Sequence, residues 1–584
     1  VSQRVRTFPS RQALGRMPFG MVDVVVLAGV FLLLFAVVWA GRGMVSSFTP
    51  SRPVRVSTDP AELPYYALRS AIRMFVALFF SVVFTLGYGY LAAKSRRAEK
   101  VLVPALDILQ SVPVLGFLSV TVTGFIALFP HSMLGLECAS IFAIFTAQAW
   151  NMTFSFYHSV RALPRELDEL SRMLRLTRWQ RFWKIEVPNS MVGLVWNGMM
   201  SFGGAWFFLA ASESISVLNH DYQLPGVGSF AAEAIRKGNL GGVVLAIVTM
   251  AFMVVAINFL FWRPITAWAE RFKVEEAEAA EVQRSWVLEV LRRSIFASLA
   301  GSAWAVVTEP LGRMMRILGR DGEYPSGGGL PGGRKLPGRT GDFIFAAFVL
   351  LPIAYGIYRM ADYVLRGVGL GGLGEAFLLG AFTLGRVFAV LVFATLVWVP
   401  VGVWIGLNPR VARLAQPLIQ VLASFPANLL FPFATLLFLK YGISLNLGGI
   451  LLMALGSQWY ILFNTIAGAM AIPTDLREAA EASGLRRWKR WRYLILPGIF
   501  PAYVTGGITA AGGAWNASIV AEVVRYGGTT LTASGLGAYI TRATATGQWP
   551  QILTGVAVMS LYVVAFNRLL WRRLYALAET RYSL

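Results

Sequence analysis

Four charged residues stand where charge is costly. Arg73 and Arg386 lie several residues inside apolar runs, and Glu213 and Glu522 close two others. A guanidinium at such depth in lipid is expensive unless it snorkels or finds a partner. The four are related by position: Arg73 matches Arg386 at an offset of 313, and Glu213 matches Glu522 at an offset of 309. Ion pairs Arg73–Glu213 and Arg386–Glu522 are therefore expected. Two other readings stay open. In one, the arginines snorkel to headgroups and the glutamates face water. In the other, the arginines attract an anionic solute at an external mouth. None of this is catalytic chemistry, because no acid, base and nucleophile converge, and an enzyme is not expected. One cysteine, Cys138, and three histidines, His131, His158 and His220, exclude a disulfide within the chain and leave no set for zinc, iron–sulfur or haem, so no metal site is expected. No glycine-rich loop ending in Lys-Ser or Lys-Thr is present, so ATP hydrolysis is not expected here. No buried Asp/Glu/His chain suggests a proton relay. Energy has to come from a partner, and no cofactor is expected on this chain.

A second group of candidates could line a path. Pro113 and Pro426 fall inside apolar runs, where a proline frees a backbone carbonyl that must find a partner or line a cavity. Ser111, Ser424 and Asn428 lie beside them. The alternative is a pair of kinks satisfied by neighbouring serines. The tetrad Gly-Gly-Ala-Trp occurs twice, ending in Trp206 and Trp515. It either faces the path or lets helices pack closely through its glycines. The copies then diverge, with Phe207 in one and Asn516 in the other.

The elements that carry these residues are apolar runs of spanning length. Hydrophobic residues make up 56% of the 584 and charged residues 14%, far from soluble composition. In lipid the backbone must bond internally, so the runs are expected to be helices; the short alternating strands of a β-barrel are not seen. Twelve spans are expected, near 21–40, 67–93, 103–129, 133–156, 191–211, 240–262, 342–361, 378–406, 417–439, 445–468, 500–520 and 550–571. The first is read as a retained helix rather than a secretory signal. Lys and Arg exceed Asp and Glu by 52 to 30, for a net charge of +22. The excess sits in short loops: Arg4, Arg6, Arg11 and Arg16, then Lys94 to Lys100, 165–184, Arg410 and Arg413, 477–492, and Arg572 and Arg573. All fall on one side if the spans alternate. This is the positive-inside pattern rather than a nucleic-acid surface, and it makes both termini cytoplasmic.

The repeat extends well beyond the four charges. Trp150, Pro164, Trp179, Pro188, Asn258 and Trp262 recur as Trp459, Pro473, Trp488, Pro497, Asn567 and Trp571, all at offset 309. Upstream, Pro104 and Pro113 recur as Pro417 and Pro426 at offset 313. An even number of spans separates the copies, so both face the same way about an axis along the membrane normal. The expected domains are a leading helix with its flanks (1–66), copy one (67–272), a cytoplasmic linker (273–341), an extra helix with an external segment (342–377) and copy two (378–584). The linker has a charged stretch at 275–281, an interfacial apolar stretch at 294–307 and a Gly/Pro-rich end at 327–333.

The loop 469–499 of copy two reads Glu478-Ala479-Ala480, then Gly484, then Leu494-Ile495-Leu496-Pro497. This resembles the EAA loop of binding-protein-dependent ABC importer permeases. The resemblance implies an all-α polytopic fold of two tandem type I permease domains and a short coupling helix that docks on an ATPase. Ala479, Ala480 and Gly484 would give that helix a small-sided face. The loop 157–190 of copy one keeps Glu169, Ile185 and Pro188 but has Arg175 where Gly484 stands. Ser424-Phe425-Pro426 with Phe431-Pro432-Phe433 is similar to the nitrate/sulfonate/taurine branch. What the branch implies is import of a small anion such as nitrate, bicarbonate, a sulfonate or a carboxylate. It also implies a bacterial inner membrane, two cytoplasmic ABC ATPase subunits holding ATP and magnesium, and an external substrate-binding protein. A thiamine-precursor-like solute or a secondary carrier are the alternatives.

Overall fold

The computed structural model describes residues 20–47, 56–217, 220–272, 285–294, 338–526 and 528–582, with residues 310 and 314. The leading arginines, the stretches 275–281 and 327–333, and nearly all of 294–307 lie outside the described residues.

The chain begins with α1 (Met21–Met44), a helix apolar all round. It touches the bundle chiefly at α2 (Leu63–Lys94), where Trp39 packs edge-on against Tyr65 at 4.8 Å. Ser95 caps α3 (Arg96–Ser111) by accepting from the Ala98 amide. α4 (Val114–Leu128) follows at 91°. Then come α5 (Leu134–Arg161), the short α6 (Arg165–Met173) and α7 (Val187–Ser212). A hairpin of β1 (Ser214–Val217) and β2 (His220–Gln223) leads into α8 (Val227–Arg236) and α9 (Leu240–Ile257).

Copy two repeats this order. α10 (Gly338–Gly406) is broken only at Gly369, whose φ of 72° suits glycine. The pair α11 (Pro409–Ser424) and α12 (Phe431–Tyr441) is bent by 78°. α13 (Leu445–Met470), α14 (Thr474–Ala482) and α15 (Leu496–Ala521) correspond to α5, α6 and α7. The hairpin β3 (Val523–Tyr526) and β4 (Thr529–Thr532) precedes α16 (Leu536–Thr546) and α17 (Trp549–Phe566).

Eight helices among the described residues are long and apolar enough to cross a membrane, or ten if each bent pair is one span. Two differences separate this from the twelve expected. The spans expected at 342–361 and 378–406 both lie in α10, which is two helices meeting at the kink at Gly369, so they are counted together as one of the eight and most of the external segment expected between them is helical. α5 occupies the span expected at 133–156 but is not among the apolar eight. It buries Glu137, Thr146, Gln148 and Thr153, and a helix walled in by protein need not match lipid.

A feature with no signature in the residues is a set of four π-helical turns: Phe182–Glu186, Asn258–Trp262, Trp491–Ile495 and Asn567–Trp571. They recur at the same offset of 309. In the first and third, a proline follows two residues on, Pro188 and Pro497, and cannot donate the usual α-helical bond. The fourth has Arg573 where the second has Pro264, so proline is not the sole cause.

The copies do not form separate cores. One apolar cluster joins Val114, Leu118 and Leu136 of copy one to Ala427, Leu452 and Trp515 of copy two. α4 packs on α15 and α17, and α11 packs on α7 and α9. Each copy thus inserts its bent pair into the other.

Candidate functional site

The structure brings the four singled-out charges together in pairs. Arg73 Nη1 lies 2.7 Å from Glu213 Oε1, and Arg386 Nη1 lies 2.7 Å from Glu522 Oε1. Both sites share a construction. The glutamate ends α7 or α15 and accepts from backbone amides that open α8 or α16, Gly228 at 2.7 Å and Ala538 at 3.1 Å. The arginine also donates to the carbonyl just upstream, Pro225 at 3.0 Å or Ser534 at 2.9 Å. A hydroxyl, Ser70 or Thr383, donates to the carboxylate and accepts from the next amide, Val227 or Leu536. Gly226 and Gly535 are required here: a Cβ at either would fall inside the carboxylate. Each lock therefore pins a short helix N-terminus to the core through a charge that the helix dipole favours.

The copies differ in what surrounds the lock. In copy one, Glu137 of α5 accepts from Arg73 Nε at 2.6 Å and pairs with Arg69 as well, giving two arginines and two glutamates, all buried. At the matching places copy two has Asn446, which accepts from Arg386 at 2.8 Å, and Phe382. Neither guanidinium projects to a mouth: Arg73 and Arg386 are 0% and 7% exposed and turned onto protein acceptors. The readings in which they snorkel or attract a solute do not match this arrangement.

Between the copies lies a cleft of about 40 Å³, lined by Gly203, Gly204, Phe207, Ser424, Tyr460 and Asn516 among others. That is room for about three waters. The bend at Pro426 brings the end of α11 to it, whereas no residue of α4, which follows the bend at Pro113, is in the lining. The prolines' own carbonyls accept from the Gly116 and Leu429 amides at 3.1 Å, and the Leu422 carbonyl, which Pro426 cannot serve, accepts from the Phe425 amide at 3.3 Å. Ser111 ends α3. Ser424 faces the cleft. Asn516 is partly spent elsewhere, for its Oδ1 accepts from the Val114 amide at 3.0 Å. Asn428 is not in the lining, and its Oδ1 has no partner among the described residues. Trp206 and Trp515, expected as path-lining candidates, are each 1% exposed within apolar cores. The reason is the side of the helix: in the first tetrad the glycines face the cleft and the tryptophan points away.

The loop helices α6 and α14 start after Pro164 and Pro473. Glu169, Glu478 and Ala479 are exposed, but Ala480 is buried against its own chain. Gly484 is not on the helix face expected of it. It stands past the end of α14 with φ +68°, where the Leu485 amide closes the helix on the Ala480 carbonyl at 2.9 Å. Arg175 takes the same place at φ +44°, with Leu176 bonding to Ser171 at 3.0 Å. A side chain in that conformation costs about 1–2 kcal/mol. Arg175→Gly is therefore expected to slow amide exchange across 165–175 about fivefold or more, read by hydrogen–deuterium exchange; unchanged exchange would contradict the assignment.

Copy one carries a further polar clamp. Buried Arg181 holds Asp168 of α6 at 2.5 Å and Glu186 at 2.9 Å, and Lys94 at the end of α2 meets Glu186 at 2.5 Å. Burial opposes the Asp168 charge, but Arg181 and Arg172 hold its carboxyl below the usual range. Copy two has Arg477, Ile495 and Leu407 at the positions of Asp168, Glu186 and Lys94. Pro188 and Pro497 sit at the starts of α7 and α15, directly after the π turns. Glu137 and the clamp were not singled out from sequence. The signal for Glu137 was available: it is a carboxylate within a spanning-length run.

Two stretches, residues 85–267 and 398–582, each match the model of the binding-protein-dependent transport system inner membrane component. Among curated proteins, the chain is 24% identical to a nitrate import permease of Leptolyngbya laminosa, over 32% of this chain and 62% of that one. It is 28% identical to a bicarbonate transport system permease of Synechococcus elongatus, over 34% and 65%. It is 27% identical to a taurine transport system permease of Escherichia coli, over 29% and 57%. The matches thus span less than two thirds of the relatives' own length.

Proposed function

Since the chain belongs to the family of binding-protein-dependent transport system inner membrane components, we propose that it forms the complete membrane path of an ATP-driven importer for a small anion, with two cytoplasmic ATPase subunits and an external binding protein. The observation that carries this is the double family match folded about one shared cleft. The solute moves by alternating access: the cleft opens to one face and then the other as ATP closes the ATPases under α6 and α14. The narrow cleft fits the closed stage of such a cycle. The locks at Glu213 and Glu522 hold the loops on the external side, and both termini lie in the cytoplasm. Nitrate, bicarbonate and taurine, named for the relatives, support a small anion as the solute class. A second reading, a different small organic solute, is favoured by a cleft lining without an ionised side chain.

The test is uptake of labelled nitrate, bicarbonate and taurine into proteoliposomes holding this chain with its ATPases and binding protein. ATP-dependent uptake of one of them is expected; uptake driven by a proton gradient without ATP overturns the reading. A separate expectation concerns stoichiometry. One chain should bind two ATPase subunits, because it already holds two loop helices. Native mass spectrometry should give one copy of this chain per complex, and two copies would refute it.

A further inference from the structure

α6 and α14 occupy equivalent places, yet the surfaces they offer are close to opposites. Leu170, Met173 and Leu174 of copy one are 44%, 82% and 61% exposed. At offset 309 copy two has Ala479, Ala482 and Ser483, also exposed. Three bulky apolar side chains on one short helix in water mark a contact surface rather than a solvated face. Charge is reversed along with size. The exposed charges of 165–175 are Arg165, Arg172 and Arg175 against Glu166 and Glu169. Those of 474–484 are Asp475, Glu478 and Glu481, the last 3.5 Å from Arg490. Asp168 is shared between buried Arg181 at 2.5 Å and exposed Arg172 at 2.6 Å, and Arg477 is turned onto the Ile472 carbonyl. The copy-two cations Arg486, Arg487 and Lys489 come only after the left-handed Gly484, beyond the helix.

We propose that the two helices dock on two different ATPase chains rather than on two copies of one. This rests on the reading of the chain as an ATP-driven permease. The partner of α6 needs a wide apolar groove with an acidic rim, to cover Met173 and Leu174 and meet the arginines. The partner of α14 needs a shallow, narrow groove with a basic rim, because alanine and serine let two backbones approach closely and the carboxylates need cations. One groove cannot serve both. If built for α14, it has no room for Met173, and its basic rim faces Arg172. If built for α6, it leaves a void over Ala479 and Ala482 and sets like charges together. Discrimination by bulk and by charge repulsion acts on the same residues here.

The experiment uses the full complex purified through a tag on this chain. In a Cys138→Ser background, Leu170→Cys and Ala479→Cys are each labelled with a benzophenone maleimide, photolysed, and the attached ATPase identified by peptide mass. Two ATPases of different sequence are expected, each captured at least tenfold in preference from one position. One ATPase sequence captured equally from both positions overturns the proposal and leaves the permease reading intact. No ATPase captured from either position overturns both. Should a cysteine variant fail to assemble, native mass spectrometry of the unmodified complex decides: two unequal ATPase masses support the proposal, and a doubled single mass overturns it.

Discussion

Glu522→Ala is expected to destabilise the folded protein severely, and more than Glu213→Ala does. With Glu522 gone, Arg386 keeps only neutral acceptors: the Asn446 carbonyl and side chain and the Ser534 carbonyl. The Ala538 amide loses its acceptor as well, and Thr383 is left with the Leu379 carbonyl at 3.3 Å. Breaking one side of a buried pair costs roughly 3–5 kcal/mol, because the surviving charge stays uncompensated. In copy one, Arg73 would still meet Glu137 at 2.6 Å. The remaining charge-assisted contact spares roughly 1.5–3 kcal/mol. Thermal melts of purified protein in detergent, followed by size exclusion, should rank wild type above Glu213→Ala above Glu522→Ala. The double change Arg386→Leu with Glu522→Leu should recover part of the loss, since it removes both charges at once. Equal melts for the two single variants would show that Glu137 does not buffer the copy-one lock.

The second large effect is on transport. A Cβ at Gly203 would stand 2.6 Å from Ser424 Oγ, and one at Gly204 would stand 2.6 Å from Tyr460 Oη. Valine at either place pushes the copies apart across the cleft. Overpacking of this kind costs roughly 1–3 kcal/mol, and the strain falls on the packed arrangement of the cleft, the closed stage of the proposed cycle. Uptake should therefore drop about tenfold or more, with the amount of chain in the membrane little changed. Gly512 is the copy-two counterpart of Gly203, and a Cβ there meets nothing within 4 Å. Gly512→Val should transport normally. Equal loss at both positions would mean that the glycines serve general helix packing and not the cleft.

These two cases also show what could be read before the fold was known. Arg73, Glu213, Arg386 and Glu522 were legible because charge is rare in apolar runs and the repeat supplied each with a counterpart. The bends at Pro113 and Pro426 were legible because proline has a fixed local effect, although their size, near a right angle, depends on packing against the other copy. The part played by Gly484 was misjudged. Small size suggested a packing face, whereas the backbone needs a positive φ to stop α14. The facing of Trp206 and Trp515 was beyond reach, since a one-residue rotation decides between cleft and core. The π turns leave no pattern in residue type, as Pro264 and Arg573 at one equivalent place show.

The hydrogen bond from the Val114 amide to Asn516 has a consequence for how this protein can change over time. Its mirror would join the Ala427 amide to position 207, where Phe207 has no acceptor to offer. Gln420 likewise meets Asn258 at 3.0 Å, while the mirror positions hold Asp107 and Asn567. In a dimer of identical chains each substitution enters twice, so a residue good for one side of the axis must be tolerable on the other. Joining the copies in one chain removes that constraint. Each position beside the axis is sampled once, and a polar group can be placed on one wall while its twin becomes aromatic. A dimer of identical chains can offer a solute only matched walls; a fused chain can offer two different ones.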